Sequence, residues 1–219
     1  MCNLHSNMMP VEAMRRLFDV AHERASLGNM EPLRAIYPKY EAPIVTVDSG
    51  ERSLKRSHWG FLTPNKSKKT GKWLKPSAWN NTRDDKIQTS GLWTNSFTHR
   101  RCLIPATAYA EATGRNPATY HWFGFEGIEG FALAGIWKYQ DETVGDSAVD
   151  TVVHSMVTTS ASEFASQYHN RMPVILDDAD YKTWLSGTAE DAFKLLRPME
   201  SHLTRLGGGI GVTKWPQDQ

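Results

Sequence analysis

The chain has 219 residues, of which 40% are hydrophobic and 22% charged, values typical of one globular domain. No apolar run approaches the roughly 20 residues that span a bilayer, and the N-terminus lacks the basic and then apolar order of a signal peptide. Two cysteines, Cys2 and Cys102, argue against a disulfide framework, and no Cys/His cluster has the spacing of a zinc site. We therefore expect a cytoplasmic monomer with a single domain over residues 1–219, without metal or cofactor.

The net charge of +1 conceals a basic segment. Between Arg52 and Arg101, 12 Lys and Arg residues stand against Asp84 and Asp85, which gives this segment +10 and the remainder of the chain −9. Four tryptophans interleave with these charges: Trp59, Trp73, Trp79 and Trp93. Basic side chains neutralise phosphates and aromatic rings stack on unpaired bases, so the segment predicts a nucleic-acid partner. For residues 67–75 a solvated lysine-rich loop is the alternative.

The first half of the chain predicts few regular elements. They are a helix over 10–25, strands over 42–47 and 57–64, a basic loop over 65–76 and a short helix within 84–98. Pro10 suits the first turn of the helix, and Pro64 is expected to end the second strand.

Strand signals dominate the second half. The predicted elements are a strand over 101–112 with a bend near Pro105, strands over 120–125, 131–140 and 151–161, and helices over 177–187 and 189–198. The tail, residues 207–219, is expected either to be mobile or to add an edge strand. Because strands fill the middle and helices flank them, we predict a single α+β domain with a largely antiparallel sheet or barrel core.

Cys2 occupies an unusual position, directly after Met1. A short residue there is the usual condition for removal of the initiator, and removal would leave a free α-amine beside the thiol. That pair supports chemistry that an internal cysteine cannot perform. Cys102, inside an apolar strand, is expected to be a buried packing residue.

Three further polar residues each have an ordinary structural explanation when taken alone. Asn81 fits a turn, Glu111 fits the exposed end of a strand, and His169 fits a structural role. Their significance depends on the segments that contain them.

Together with Cys2 these residues occupy four motifs that resemble those of the SOS response-associated peptidase family. The motifs are Met-Cys at 1–2, NTR at 81–83, RRCLIPATAYAE at 100–111 and HNRMP at 169–173. They follow the order found in the family, and the resemblance spans roughly residues 2–196. The two longer motifs are quite specific, whereas NTR alone is weak.

The resemblance implies a compact α/β domain with a positively charged groove for single-stranded DNA. It also implies a stable DNA–protein crosslink between the N-terminal cysteine and abasic sites, formed in the DNA damage response near the nucleoid. The roles carried over are Cys2 as the nucleophile, Asn81 as a positioning group, Glu111 as the acid/base, His169 as a second catalytic group, and Arg83 and Arg171 as phosphate contacts. From the basic segment we add Trp73 and Trp79 as DNA-binding candidates.

Several residues depart from the family pattern. Asn3-Leu4 replaces a common Gly-Arg, Thr82 a common Ala, Thr107-Ala108 a frequent Asp-Gly, and Ala110 and Ala112 replace aromatics beside Glu111. The residues with proposed chemical roles match the family pattern in side-chain type. We therefore expect the crosslinking reaction to be retained and the contacts with the DNA backbone to differ from those of the family.

Two other classes of function stay open. The first is a cysteine-type peptidase or autopeptidase with Cys2 as nucleophile, in which His169 could assist; a lyase activity on abasic DNA is also compatible. The second is a non-catalytic module that reads a modified base. Neither alternative explains both the basic, Trp-rich segment and the position of Cys2.

Overall fold

The computed structural model describes residues 2–140 and 151–216. Its strands are β1 (Leu4–Asn7), β2 (Leu33–Ile36), β3 (Glu41–Asp48), β4 (Glu51–Trp59), β5 (Phe61–Lys66), β6 (Trp73–Trp79), β7 (Asn81–Arg83), β8 (Arg101–Ala106), β9 (Ala108–Thr113), β10 (Thr119–Gly124), β11 (Phe131–Tyr139), β12 (Val152–Ser160), β13 (Arg171–Pro173), β14 (Ile175–Leu176) and β15 (Thr204–Ile210). Met1 lies outside the described residues.

The helices are short and lie around the strands. They are α1 (Val11–Leu17), α2 (Asp84–Ile87), α3 (Thr94–His99), α4 (Glu163–Ser166), α5 (Tyr181–Ser186) and α6 (Ala189–Lys194), with 3₁₀ turns at His22–Arg24 and Asp178–Asp180. Within the described ranges, none of these helices has the length and apolar character needed to cross a bilayer.

The larger sheet closes on itself. Its path runs β12–β4–β3–β8–β11, and β11 also pairs with β12, so these five strands form a ring. Within the ring only β12 and β4 are parallel. The short strands β7, β13 and β14 extend it, β7 and β13 along β12 and β14 along β11. The predicted α+β class with a mostly antiparallel, barrel-like core is confirmed.

Successive side chains of a strand point to opposite faces of the sheet, so the core consists of separate hydrophobic clusters on the two faces. On β8, Leu103 packs in a cluster with residues of α1 and α5 such as Met14 and Trp184. Its neighbours Cys102 and Ile104 pack in a second cluster that contains Cys2. Because β8 and most of β11 are buried on both faces, they have the continuous apolar sequences that the prediction used.

A second, five-stranded sheet has the order β15–β10–β9–β1–β2 and is antiparallel throughout. The chain passes from β8 in the ring to β9 in this sheet at Thr107, whose backbone N–H donates to Ser6 O at 2.8 Å. The prediction of one strand over 101–112 is therefore wrong, and the break is at Thr107 rather than Pro105. Residues 207–210 of the predicted tail belong to edge strand β15; residues 217–219 lie outside the described residues.

Two hairpins correct the prediction for residues 41–79. Strands β3 and β4 join through Ser49 and Gly50, both at positive φ, as a two-residue hairpin turn requires. Strands β5 and β6 form a separate hairpin, so the loop predicted over 65–76 is wrong except at its tip. The strand predicted over 57–64 divides at Gly60, and Pro64 lies at a register shift inside β5 rather than ending it.

The helix predicted over 10–25 is too long, because α1 ends at Leu17 and Asp19 adopts a positive φ of 51°. Phe18 and Val20 are buried in the core from the irregular segment that follows. The helices predicted over 177–187 and 189–198 exist in shortened form, and the segment 84–98 holds two helices rather than one. The strands predicted over 42–47, 120–125, 131–140 and 151–161 are confirmed within one residue at each end.

Candidate functional site

Cys2 lies two residues before β1, which pairs with β9 and β2 in the five-stranded sheet. Its side chain is fully buried, and Sγ lies 3.4 Å from Leu4 O and 3.8 Å from Ala110 O. Leu4 and Ala110 are partners in the β1–β9 ladder. The ladder therefore holds the thiol against β9, the strand that carries Glu111.

Asn81 fixes the backbone of Cys2 through its side-chain amide. Its Nδ2 donates to Cys2 O at 2.7 Å, and Nδ2 of the preceding Asn80 donates to Asn3 Oδ1 at 2.8 Å. Asn81 can reach this position because β7 runs parallel to β12, with Asn81 beside Met156. Asn81 is 7% exposed, and its Oδ1 has no hydrogen-bond partner among the described residues. The amide thus lies next to the backbone of Cys2 with one polar atom still able to accept.

Glu111 is buried rather than exposed, contrary to the ordinary expectation for the end of a strand, with 5% of its surface accessible. Burial raises the pKa of Glu111 to about 7. Burial likewise raises the pKa of the Cys2 thiol above its ordinary value, and the nearby Glu111 charge raises it further. At neutral pH the site therefore combines a protonated thiol with a carboxyl group that can both donate and accept a proton.

His169 precedes β13, in the loop that follows α4. Its Nδ1 lies 3.0 Å from the Arg171 N–H, which donates to it, and this contact orients the ring. Burial is the main factor that lowers the pKa of His169. His169 and Glu111 line the same cleft, so two groups that sequence analysis selected from distant segments lie together.

Arg83 and Arg171 meet at one end of β12. Arg83 on β7 lies beside Thr158, and Arg171 donates to both the carbonyl and the hydroxyl oxygen of Thr158. Each arginine has its own carboxylate: Arg83 binds Asp85 through two hydrogen bonds of 2.8 and 2.9 Å, and Arg171 binds Asp84 at 2.9 Å.

The two arginines differ in exposure. The Arg83 side chain is 49% exposed, whereas that of Arg171 is 14% exposed and anchored by Asp84 and Thr158. Arg83 is consequently accessible to another anion in place of its carboxylate, whereas these contacts hold the guanidinium of Arg171 in place.

Trp73 and Trp79 lie at opposite ends of β6. Trp79 is 46% exposed, and its chain neighbour Asn80 contacts Asn3, so this end of the hairpin adjoins the site. Trp73 is 71% exposed, carries Lys66 over its ring at 5.3 Å, and stands about 20 Å from Trp79 along the strand. The structure brings Trp79 to the site and leaves Trp73 at a distance.

The basic segment 52–101 does not form one continuous surface. Five of its lysines lie on or between β5 and β6: Lys66, Lys68, Lys69, Lys72 and Lys75. By contrast, Lys55 and Arg56 pair with Asp48 and Glu41. Arg101 is buried and donates to the backbone carbonyls of Phe97 in α3 and of Gly187 directly after α5. The hairpin therefore accounts for much of the charge that can face a polyanion.

Sequence reasoning missed several residues of the site. Asp84 and Asp85 were counted only as exceptions in a basic segment, although each neutralises an arginine. Tyr109 is buried next to Cys2, and the charges of Cys2 and Glu111 add to the burial that raises the pKa of its phenol. The position of Tyr109 two residues before Glu111 was the available signal, since both side chains project from the same face of β9.

The sequence pattern of the SOS response-associated peptidase family matches residues 1–206. The chain belongs to this family. The match includes every candidate residue named above, from Cys2 to Arg171. The predicted family assignment is thereby confirmed.

Two relatives are about a quarter identical to this chain over the aligned residues. Abasic site processing protein YoqW of Bacillus subtilis is 26% identical over 178 residues, which cover 77% of this chain and 76% of the relative. Abasic site processing protein HMCES of Xenopus tropicalis is 26% identical over 182 residues, which cover 70% of this chain and 52% of that longer protein.

Solved structures share the fold. A crystal structure of a protein from Bordetella bronchiseptica superposes with a TM-score of 0.74 at 22% identity, covering 95% of this chain and 99% of that one. A protein from Bacteroides thetaiotaomicron gives a TM-score of 0.71 at 18% identity, covering 93% and 90%. At these identities the likeness concerns the fold.

Proposed function

We propose that this chain processes abasic sites in single-stranded DNA by joining itself to them through Cys2. Relatives named abasic site processing proteins support this class of function. The observation that carries the proposal is the set of contacts that hold Cys2 in place. Asn81 holds its carbonyl at 2.7 Å while the ladder to β9 holds its thiol next to Glu111.

The reaction requires removal of Met1, which frees the α-amine of Cys2. The amine adds to the C1′ aldehyde of the opened deoxyribose and gives a carbinolamine, and loss of one water leaves a C=N bond. The thiol then adds across this bond: sulfur bonds to C1′ and the thiol proton passes to nitrogen. The product is a five-membered thiazolidine, formed readily because both groups belong to one residue. No oxidant or reductant takes part.

The protonation state of Cys2 favours this order of events. Burial and the Glu111 charge raise the pKa of the thiol, so sulfur is protonated at neutral pH. An α-amine has a pKa near 8 and is partly neutral there, so the amine is the better first nucleophile. A cysteine peptidase needs a thiolate at the start of its reaction. The environment of Cys2 therefore supports crosslinking over peptide hydrolysis.

Glu111 and His169 are the proposed proton-transfer groups. With a pKa of about 7, Glu111 can protonate the leaving hydroxyl of the carbinolamine and take a proton back when the ring reopens. His169 would donate to the sugar ring oxygen as the deoxyribose opens. Its fixed contact with the Arg171 N–H leaves Nε2 as the atom for this role.

The DNA strand is proposed to approach along the face between Arg83 and the β5–β6 hairpin. Arg83 and Arg171 would contact phosphates next to the lesion, and the hairpin lysines would add diffuse attraction. Trp79 stands at the site and suits a base, whereas Trp73 suits a more distant part of the strand.

A denaturing gel tests the proposal directly. Purified protein is mixed with an abasic single-stranded oligonucleotide, and a heat-stable covalent band is expected. Cys2→Ala should give no stable band, with any residual Schiff base trapped only by borohydride, while Cys102→Ala, the matched control at the other buried cysteine, should behave like the parent. An uncleavable N-terminal tag should also abolish the band, because it blocks the amine.

The outcomes separate the functional classes. A passive DNA-binding module would retard the oligonucleotide on a native gel yet give no covalent band. A stable, untrapped adduct with Cys2→Ala would refute the thiazolidine mechanism. Cleavage of a peptide substrate that depends on Cys2, in the absence of any DNA adduct, would favour the peptidase class instead.

A further inference from the structure

A cleft of about 540 Å³ opens beside the proposed catalytic groups. Glu111 and His169 line one side of it, Asn3 contributes to the wall, and Arg115 stands at the rim. The volume falls within the range of small-molecule sites. It exceeds what an aldehyde carbon needs, so the cleft has room for a neighbouring part of the substrate.

Apolar side chains line part of the cleft. Leu4 and Ala110 face each other across the β1–β9 ladder, and Ala112 projects from the same face of β9 two residues further on. Tyr120 lies directly opposite Ala112 on β10, and Tyr37 follows β2 on the other side. Both tyrosines pack against the cluster that contains Leu4 and Ala110. This apolar part of the cleft thus has a tyrosine on each side.

We propose that this cleft binds the base of a nucleotide adjacent to the abasic site, stacked on Tyr120. The inference rests on the proposed function and adds the part of the substrate that the site recognises. An unpaired base presents a flat π-face, and aromatic side chains stack on such faces whatever the base. Arg115 at the rim would contact the phosphate of the same nucleotide.

Tyr120 is the better platform of the two tyrosines. The ring of Tyr37 already packs edge-on against Tyr40, with centroids 5.4 Å apart. For Tyr120 no aromatic ring contact is found within the described residues. Tyr120 also lines the same cleft as Glu111 and His169, so a base stacked there occupies the cleft that contains the proposed proton-transfer groups.

The experiment compares two abasic oligonucleotides. In the first, adenines flank the abasic site; in the second, the flanking nucleotides are tetrahydrofuran spacers that have neither base nor aldehyde. The parent protein should crosslink the first about tenfold faster at limiting protein, equivalent to about 1.4 kcal/mol. Tyr120→Ala should remove this preference, Tyr120→Phe should keep it, and Ala112→Trp should remove it by filling the cleft.

Tyr139→Ala is the matched control, since Tyr139 is 52% exposed on β11 and takes no part in the cleft. This variant should retain the tenfold preference. Equal rates for the two oligonucleotides with the parent protein, or a preference that survives Tyr120→Ala, would overturn the inference.

A second measurement does not depend on crosslinking. An oligonucleotide with a tetrahydrofuran site next to 2-aminopurine is titrated with protein, and stacking on Tyr120 should quench the fluorescence. The parent and Tyr139→Ala should quench it and Tyr120→Ala should not; absence of quenching with the parent would refute base binding. If quenching occurs but no covalent band forms, the proposed chemistry fails while the base cleft stands.

Discussion

Glu111→Gln should change two quantities that can be measured separately: the pH dependence of the free energy of unfolding and the rate of crosslinking. Burial raises the pKa of Glu111 from its ordinary 4.5 to about 7. Between these pH values the folded protein keeps a proton that the unfolded chain has released, so the free energy of unfolding falls as pH rises. At about 1.4 kcal/mol per pH unit, the fall between pH 5 and pH 8 is about 3 kcal/mol.

The amide of the substituted side chain does not titrate, so this fall should be absent from the variant. Relative to the parent, the variant should therefore gain about 3 kcal/mol on going from pH 5 to pH 8. For a domain of this size, 1 kcal/mol corresponds to about 2–4 °C in Tm. Urea unfolding of both proteins at pH 5, 6, 7 and 8 measures the difference.

The same substitution should slow crosslink formation by on the order of 10²-fold, the lower range for a lost acid/base group. It should slow reversal as well, because a catalyst of proton transfer acts in both directions. Release of protein from preformed crosslinks gives the reversal rate. If the free energies of unfolding of parent and variant changed equally with pH, Glu111 would not retain a proton in the folded protein. An unchanged reversal rate would remove Glu111 from the acid/base role.

Three other substitutions test neighbouring groups. Arg83→Ala should weaken crosslinking of abasic DNA and flatten its salt dependence by about one phosphate, yet leave reaction with a small aldehyde unchanged; equal loss in both assays would place Arg83 in the catalytic centre. Asn81→Ala removes the 2.7 Å hydrogen bond to Cys2 and should lower the crosslinking rate at saturating DNA about tenfold, with unaltered retardation of spacer DNA on a native gel. Burial lowers the pKa of His5 to about 3, so below pH 6.5 the unfolded chain gains a proton first and the contribution of His5 to the free energy of unfolding falls by up to about 1.4 kcal/mol per pH unit. In urea unfolding at pH 7 and 5, the free energy of unfolding of His5→Phe should therefore change in the stabilising direction relative to the parent on acidification, and an identical change in the two proteins would contradict the assignment.

The sequence was a good guide to strands with continuous apolar character and a poor one to exposed strands. Strands β11 and β12 were predicted nearly to the residue because most of their side chains are buried. Strand β6 was missed because its residues are exposed or only half-buried, which leaves no apolar alternation to detect. The passage between sheets at Thr107 was also hidden, since a local pattern does not reveal which sheet a strand joins.

For the site, the sequence supplied the residues and tertiary structure supplied their partners. Asn81, Glu111 and His169 could be selected because the motifs that contain them resemble motifs of the SOS response-associated peptidase family. Taken alone, each residue had an ordinary structural explanation. The pairing of Arg83 with Asp85 and of Arg171 with Asp84 could not be foreseen, because it depends on how β7 and β13 meet β12. The raised pKa of Glu111 likewise follows from burial by segments distant in sequence.

The placement of β1 has a mechanical consequence. Chain termini usually fray, and a load applied to the end of a frayed segment peels it away one residue at a time. Here the proposed attachment point, Cys2, leads straight into a strand bonded on one side to β9 and on the other to β2. Tension transmitted through attached DNA must therefore rupture two ladders together, so the anchorage resists pulling although it begins at the second residue of the chain.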